Sequence, residues 1–226
     1  QRVREAEAKL AQTVRSYEQV KKMFGRYVSR DVVERVLSDP SRSALGGEMR
    51  EVTVMHADIA GYTSLAEKIP PGEVIEVLNR YYDAVGKAIV DHGGMIVGIQ
   101  GDALLAAFGA SLARDVKVEH LDHADDAVWA AHDMLESVAA LNARWHEDGF
   151  GELAAAGLQI RIGVHSGPVV LGNVGSEERI EFTLIGDTVN IAARVEELNK
   201  RFHTSLLVTS QTRERLADKA LYDRLV

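Results

Sequence analysis

The sequence contains no cysteine, so disulfide bonds and zinc sites built from thiolates are both excluded. No uninterrupted apolar run reaches the roughly 18 residues that indicate a membrane span, and no signal peptide is visible. We therefore expect a domain that works in the reducing cytoplasm. The first residue is Gln1 rather than Met, and we expect an upstream sensor or membrane segment in the full-length protein.

Basic residues are fewer than acidic residues. Lys and Arg total 26 against 34 Asp and Glu, which gives a formal net charge of −8 and argues against nucleic acid as a partner. An anionic small molecule would need metal ions or a few well-placed arginines to bind here. The 226 residues, 46% of them apolar, are enough for one packed domain with an appendage.

The amino-terminal appendage is predicted to be one amphipathic helix over residues 1–27. Its apolar residues follow a heptad pattern that would suit a dimeric coiled coil: Val3, Leu10, Tyr17 and Phe24 at one position, and Ala6, Thr13, Val20 and Tyr27 at the other. The alternative is a helix that packs this stripe on its own domain. A short helix from Ser29 to Leu37 and a turn at 38–41 follow, so we expect an N-terminal region over 1–41 and a main domain over 42–226.

Strands and helices alternate in the main domain. We expect strands at 52–57, 95–99, 103–108, 158–164, 169–174, 182–185 and 205–208, and helices at 63–68, 71–92, 122–145, 187–201 and 211–216. The strands at 158–164 and 169–174 are predicted to form a hairpin around Ser166-Gly167-Pro168, after a Gly- and Ala-rich surface excursion that ends at Gly157. The order βαββαβ indicates an α+β domain with the ferredoxin-like fold.

Two aspartates occupy strand ends that this fold would place side by side. Asp58 ends the first strand, and Asp102 lies with Gly101 in the hairpin turn before the third. Paired carboxylates suit hard cations such as Mg²⁺, whose remaining ligands can be phosphate oxygens. Two such ions can activate an attacking oxygen and stabilise a leaving one. The alternative is that each aspartate only caps a turn.

Two further patterns suit phosphate chemistry. The turn that follows Asp58, residues 59–63, contains a glycine and opens a helix, where main-chain N–H groups can face phosphate. Asn190 and Arg194 are four residues apart, so they share one face of a helix and can point at one group. An amide and a guanidinium together suit charge that builds on a phosphoryl oxygen. The alternative is an exposed helix with a surface pair, because Glu196 and Glu197 follow closely.

Three blocks in this order resemble the signature blocks of class III adenylate and guanylate cyclases. They are Val54 to Thr63, Gly101-Asp102 with Phe108, and Gly186 to Arg194. The resemblance covers roughly Phe24 to Val226, so we expect a ferredoxin-like cyclase domain preceded by the N-terminal coiled-coil helix that the heptad pattern predicts. It also implies a homodimer with two shared active sites, which converts a nucleoside triphosphate to a cyclic nucleotide with two Mg²⁺ or Mn²⁺ ions per site.

The resemblance also implies roles for individual residues. Asp58, Asp102 and the Ile59 carbonyl would bind the metals, and Ala60, Gly61, Tyr62, Thr63 and Gly101 would contact the substrate. Asn190 would orient the ribose, and Arg194 would stabilise the α-phosphate in the transition state. In this family the metal-binding aspartates of a site come from one subunit, and the residues that match Asn190 and Arg194 come from the other.

The chain departs from the family where the base is read. Adenylate cyclases usually carry Lys four residues before the second metal aspartate and guanylate cyclases carry Glu, whereas this chain has Gly98. The partner position, Thr183, fits adenine better than guanine. We therefore expect ATP as substrate. The alternatives are a guanylate or relaxed-specificity cyclase, or a catalytically weak dimeric module that binds nucleotide.

Overall fold

The computed structural model describes residues 2–25, 28–110, 123–145, 147–148, 150, 157–176 and 178–224. The chain divides into two compact units, with the boundary between Ala44 and Leu45. The predictions for Tyr27, for residue 122 and for the Gly- and Ala-rich excursion at 151–156 lie outside the described residues. None of the described helices is long and apolar enough to cross a membrane.

The first unit is helical. Helix α1 spans Arg2–Phe24 and α2 spans Arg30–Ser38, followed by a 3-10 turn at Pro40–Ser43. The Ser29 hydroxyl accepts from the Val32 N–H at 3.4 Å, as expected for a residue that caps α2. Where the side chains of α1 are described, the apolar heptad residues are exposed: Leu10 (65%), Tyr17 (49%), Val20 (47%) and Phe24 (54%). The helix is confirmed, and its pairing with a second copy stays a prediction.

The second unit is built on a six-stranded sheet. The strands are β1 (Gly46–Ile59), β2 (Met95–Gln100), β3 (Ala103–Phe108), β4 (Ile160–Gly175), β5 (Ile180–Ile185) and β6 (Leu206–Val208). Their order is β2-β3-β1-β4-β5, and β6 pairs in parallel with the first part of β4. The helices are α3 (Tyr62–Ala66), α4 (Pro71–Asp91), α5 (His123–Arg144), α6 (Asp187–Phe202), α7 (Ser210–Arg213) and α8 (Lys219–Arg224).

The α+β class and the βαββαβ order are confirmed. The first four strands of that order lie as β2-β3-β1-β4 with antiparallel neighbours, which is the ferredoxin-like arrangement. The strand expected at 52–57 is longer at both ends, because β1 pairs with β4 from Gly46 to Ile59. Helix α8 was not expected.

The predicted hairpin around Ser166-Gly167-Pro168 is wrong, because β4 continues through these residues as one strand of 16 residues. Pro168 is tolerated because β6 pairs with β4 only up to Val164 and β5 only from Val170. Between those points no described strand pairs with β4 on the side away from β1. The missing N–H of proline therefore costs no ladder hydrogen bond there.

The core lies between one face of the sheet and helices α4 and α5. Alternate residues of three strands contribute to it: Met55, Ala57 and Ile59 of β1, Leu104, Ala106 and Phe108 of β3, and Ile160, Ile162 and Val164 of β4. This period of two leaves the residues between them on the opposite face. The residues on that opposite face include His56, Asp58, Arg161 and Gly163. Helix α6 packs against this face, where it contacts Arg161 and Gly163.

Candidate active site

Asp58 and Asp102 come together at neighbouring strand ends. Asp58 is the penultimate residue of β1, and Asp102 directly precedes β3. Ala57 of β1 pairs with Leu104 of β3, and this register places Asp58 and Asp102 near each other. Their carboxyl groups lie within hydrogen-bonding reach of each other, which raises the pKa of Asp102 in addition to the larger effect of burial.

The carboxyl pair carries more negative charge than its surroundings neutralise. Burial and the nearby Asp58 carboxylate raise the pKa of Asp102 to about 7, although the N–H groups of Ile59 and of Asp102 itself oppose the shift. The described side chain that balances Asp58 is Arg161, whose Nη2 lies 3.2 Å from Asp58 Oδ2. A divalent cation bound by oxygen would relieve this repulsion, so the donor set fits Mg²⁺ or Mn²⁺.

The described residues would supply only part of a metal coordination shell. Within the described residues, no group of three or more His, Asp or Glu side chains has the arrangement of a complete metal site. Two carboxylates and the Ile59 carbonyl would leave several octahedral positions to water and phosphate oxygens. This is usual for Mg²⁺ that binds together with a nucleotide, since the ion keeps few protein ligands.

The turn that carries Asp102 is held from α4. Gly101 has φ of 63°, a left-handed conformation that glycine adopts without strain. The Tyr82 hydroxyl donates a hydrogen bond to the Gly101 carbonyl. Burial, with the charge of Asp102 as a further cause, raises the pKa of Tyr82 to about 12, so the phenol remains a donor. Sequence reasoning missed Tyr82, because only the packing of α4 on the hairpin reveals it.

The turn after Asp58 offers fewer N–H groups than its sequence indicates. The Ala60 N–H donates to the Gln159 carbonyl at 2.8 Å, so it is not available to phosphate. Gly61 has φ of 71° and precedes α3. The N–H groups at the start of a helix have no intrahelical acceptor, so those of Tyr62 and Thr63 are the ones that a ligand could use.

Asn190 and Arg194 lie on α6. Side-chain hydrogen bonds near both ends of this helix connect it to β4. The Thr188 hydroxyl donates to the Pro168 carbonyl at 2.7 Å, and the Asn199 amide donates to the Ile162 carbonyl at 3.0 Å. Asn190 and Arg194 are exposed. Neither side chain has a hydrogen bond or ion pair with any part of the chain that the structure describes. The single chain therefore does not bring them to the aspartate pair.

Glu196 lies on the same helix. The sequence left open that this is an exposed helix with Glu196 on its surface, but Glu196 is not a surface residue. It is only 3% exposed, and its Oε1 lies 2.9 Å from Arg161 Nε. Burial raises the pKa of Glu196 to about 7, against the lowering effect of Arg161. Sequence reasoning missed both Arg161 and Glu196, since their contact depends on the packing of α6 against β4.

The two positions expected to read the base lie on the strands at the two ends of the sheet order. Gly98 is on β2, beside an irregularity in its pairing with β3, and a Cβ atom added there would meet nothing within 4 Å. Thr183 is half-buried on β5 and pairs with Gly172 of β4. His56 of β1 is half-buried, and burial lowers its pKa, so it packs as a neutral side chain.

The site combines a ferredoxin-like sheet with two neighbouring carboxylates at its strand ends, a set of oxygen donors that suits a divalent cation. The family model described as the adenylate and guanylate cyclase catalytic domain matches residues 47–224. The chain belongs to this family of class III cyclases.

The named relative and the similar solved structures include both adenylyl and guanylyl cyclases. An uncharacterised protein of Mycobacterium tuberculosis is 38% identical over 205 residues, which cover 90% of this chain and 32% of that protein. Adenylate cyclase 1 of Rhizobium meliloti is 32% identical over 186 residues, covering 82% and 26%. The chain thus spans about a third or less of the curated relatives it matches.

The crystal structure of the guanylyl cyclase Cya2 is 30% identical with a TM-score of 0.64, covering 77% of this chain and 82% of that one. A bacterial light-regulated adenylyl cyclase has a TM-score of 0.74 at 24% identity, covering 93% of this chain and 57% of that one, and this likeness shows the fold alone.

Proposed function

We propose that this chain is the catalytic part of a homodimeric adenylate cyclase, which converts ATP to 3′,5′-cyclic AMP and pyrophosphate. The observation that carries the proposal is the convergence of Asp58 and Asp102 in a chain of the cyclase family. Because ATP is a cytoplasmic nucleotide, the domain would act in the cytoplasm.

Asp58, Asp102 and the Ile59 carbonyl would hold two Mg²⁺ or Mn²⁺ ions. Such ions lower the pKa of a ribose 3′-hydroxyl and neutralise charge on the phosphates. The residues of this chain orient the reactants around them. Tyr62 and Thr63 would present main-chain N–H groups to the phosphates, and Tyr82 would keep the turn at Gly101 in place.

Asn190 and Arg194 would act on the site of a second copy. Their exposure, together with their lack of partners in the described chain, supports a role across an interface. Asn190 would hold the ribose, and Arg194 would donate to the α-phosphate oxygens as charge develops on them. Each homodimer would then contain two equivalent sites, and α1 would relay a signal from an upstream sensor by changing how the two halves face each other.

Gly98 favours a second candidate, a dimeric module that binds nucleotide with little or no turnover or with relaxed specificity. A base contact normally made by a charged side chain is absent at this position, which would cost about 1.5 to 3 kcal/mol of discrimination. The presence of Asp58, Asp102, Asn190 and Arg194 together favours the active enzyme, because a module that only binds nucleotide does not need all four.

A product assay separates the candidates. The chain is incubated with ATP or GTP and with Mg²⁺ or Mn²⁺, and cyclic AMP and cyclic GMP are separated by chromatography. We expect cyclic AMP as the main product. Nucleotide binding without either product, under all four conditions, would favour the second candidate.

Complementation tests the shared site. Asp58→Ala and Arg194→Ala should each abolish product, whereas a mixture of the two variants should recover up to about a quarter of the wild-type rate. That fraction follows from random exchange, in which half of the dimers are heterodimers and each of these has one intact site out of two. If subunit exchange is shown with tagged chains and mixing still recovers no activity, the active site is not shared between subunits.

A further inference from the structure

Three charged side chains form a continuous chain from the sheet to α6. Arg161 is the direct cross-strand neighbour of Asp58 in the pairing of β1 with β4. Its Nη2 lies 3.2 Å from Asp58 Oδ2, and its Nε lies 2.9 Å from Glu196 Oε1. Glu196 is 3% exposed, so its carboxylate has little freedom to move. The guanidinium is therefore shared between a metal-site candidate and a buried acid.

We propose that Arg161 and Glu196 are positioning residues for Asp58. Glu196 holds the guanidinium so that it orients the Asp58 carboxylate without taking the place of the cation. The proposal rests on the proposed function, because it requires Asp58 to be a ligand of a divalent cation.

The geometry of the guanidinium supports this role. An unrestrained arginine tends to pair with a carboxylate through two parallel hydrogen bonds, which would occupy both oxygens of Asp58. Here the Nε side of Arg161 faces Glu196, and the ion pair with Asp58 joins one nitrogen to one oxygen. The arginine can thus fix the orientation of Asp58 and leave it able to bind a cation.

Stability alone does not explain the Glu196 pair. Arg161 Nε and Glu196 Oε1 are both buried, and although they are 2.9 Å apart neither makes a hydrogen bond of good geometry. A buried ion pair with poor alignment repays little of its desolvation cost, and an apolar pair is often as stable or more so. A function in holding Asp58 gives these two charges a physical reason to be there.

Glu196 also links Asp58 to the helix that carries Asn190 and Arg194. Glu196 lies two residues after Arg194 on α6, and a Cβ at Gly163 would lie 2.2 Å from the Glu196 main-chain nitrogen. The helix backbone therefore lies directly against β4 at this point. Asp58 is thus oriented from a rigid contact between two elements, which is how the outer partners of metal ligands usually act.

The test is Mn²⁺ binding to the full chain without nucleotide, measured by isothermal titration calorimetry and by electron paramagnetic resonance of free Mn²⁺. Glu196→Gln keeps the shape of the side chain and removes its charge. We expect the Mn²⁺ dissociation constant to rise about 10-fold, the lower end of what loss of an outer partner of a metal ligand causes. The melting temperature should stay the same or rise.

The matched control is Glu197→Gln, which removes the same charge one residue along on an exposed side chain. We expect it to change the dissociation constant by less than about twofold, since an exposed charge at a distance is screened. Arg161→Lys keeps the charge but cannot bridge two carboxylates, and it should weaken binding as Glu196→Gln does. In an Asp58→Asn background, Glu196→Gln should have no further effect.

The outcomes separate this inference from the proposed function. If Asp58→Asn does not weaken Mn²⁺ binding, the proposed metal site is wrong and this inference fails with it. If Asp58→Asn does weaken binding but Glu196→Gln stays within twofold of wild type, or matches Glu197→Gln, only the inference is overturned. If Glu196→Gln does not fold, Arg161→Lys decides by the same criterion.

Discussion

The carboxyl group of Asp102 lies within hydrogen-bonding reach of Asp58, and this proximity, together with burial, raises the pKa of Asp102 to about 7. Two acids that close together are poorly suited to the folded state without a cation. The pair therefore costs stability in the metal-free protein and would become favourable if a divalent ion bound there. This relationship links the stability of the domain to its proposed chemistry.

The first prediction concerns metal-free stability. The folded-state pKa of Asp102 lies above its ordinary value near 4, so between about pH 4 and pH 7 the folded state binds more protons than the unfolded state. The stabilisation is present below pH 4 and is lost as the pH rises to 7. Asp102→Asn should therefore raise the melting temperature at pH 8 by about 2 to 4 °C. That shift corresponds to about 1 kcal/mol, allowing for solvent screening of this half-buried group.

Thermal unfolding in a chelating buffer at pH 5 and pH 8 measures this effect. The gain from Asp102→Asn should be larger at pH 8 than at pH 5. Asp83→Asn makes the same change on an exposed residue of α4 and should shift the melting temperature by less than about 1 °C at either pH. A loss of stability at pH 8 in Asp102→Asn would contradict the repulsion inferred here.

Local patterns in the sequence were enough to predict the βαββαβ fold, because the helices are strongly amphipathic and the turns carry glycine. The same patterns gave a wrong hairpin at Pro168. Proline and glycine usually end a strand, and only the spacing of β5 and β6 along β4 shows that they do not end this one.

The candidate site could be predicted where its residues lie in short motifs. Asp58 and Asp102 are brought together by neighbouring strands, as their positions in the βαββ unit indicated. The contact of Arg161 with Asp58 could not be predicted, because the two residues are 103 positions apart and meet only through the register of β1 with β4. The burial of Glu196 could not be predicted either, because it depends on the close tertiary packing of α6 against β4 at Gly163.

The second prediction concerns base recognition at Gly98. A Cβ at this position meets nothing within 4 Å, so a larger side chain can be introduced without disturbing the sheet. If ATP is the substrate, Gly98→Lys should supply a charged donor to the adenine ring. The ratio of kcat/KM for ATP to that for GTP should then rise about 10- to 100-fold, which corresponds to the roughly 1.5 to 3 kcal/mol of a charged hydrogen bond.

Gly98→Ala controls for the loss of glycine and should leave the ratio within about twofold, since alanine adds no donor. Gly98→Glu should shift the ratio towards GTP, because a carboxylate accepts from guanine and repels the acceptor atoms of adenine. An unchanged ratio in both charged variants, with normal folding, would mean that another part of the chain reads the base.

The last prediction concerns the contact between α6 and β4. A methyl group at Gly163 would lie 2.2 Å from the Glu196 nitrogen and 2.4 Å from the Ala192 carbonyl oxygen, and both are backbone atoms that no rotamer change can move. Gly163→Ala must therefore push α6 away from the sheet, at a typical overpacking cost of about 1 to 3 kcal/mol. The melting temperature should fall by several degrees. Cyclase activity should fall by more than the unfolded fraction explains, because Asn190, Arg194 and Glu196 all move with the helix. Gly98→Ala is the matched control, since it makes the same substitution in the same sheet where space is open. If Gly163→Ala retained wild-type activity and stability, the close packing of α6 would not be needed to place these three side chains.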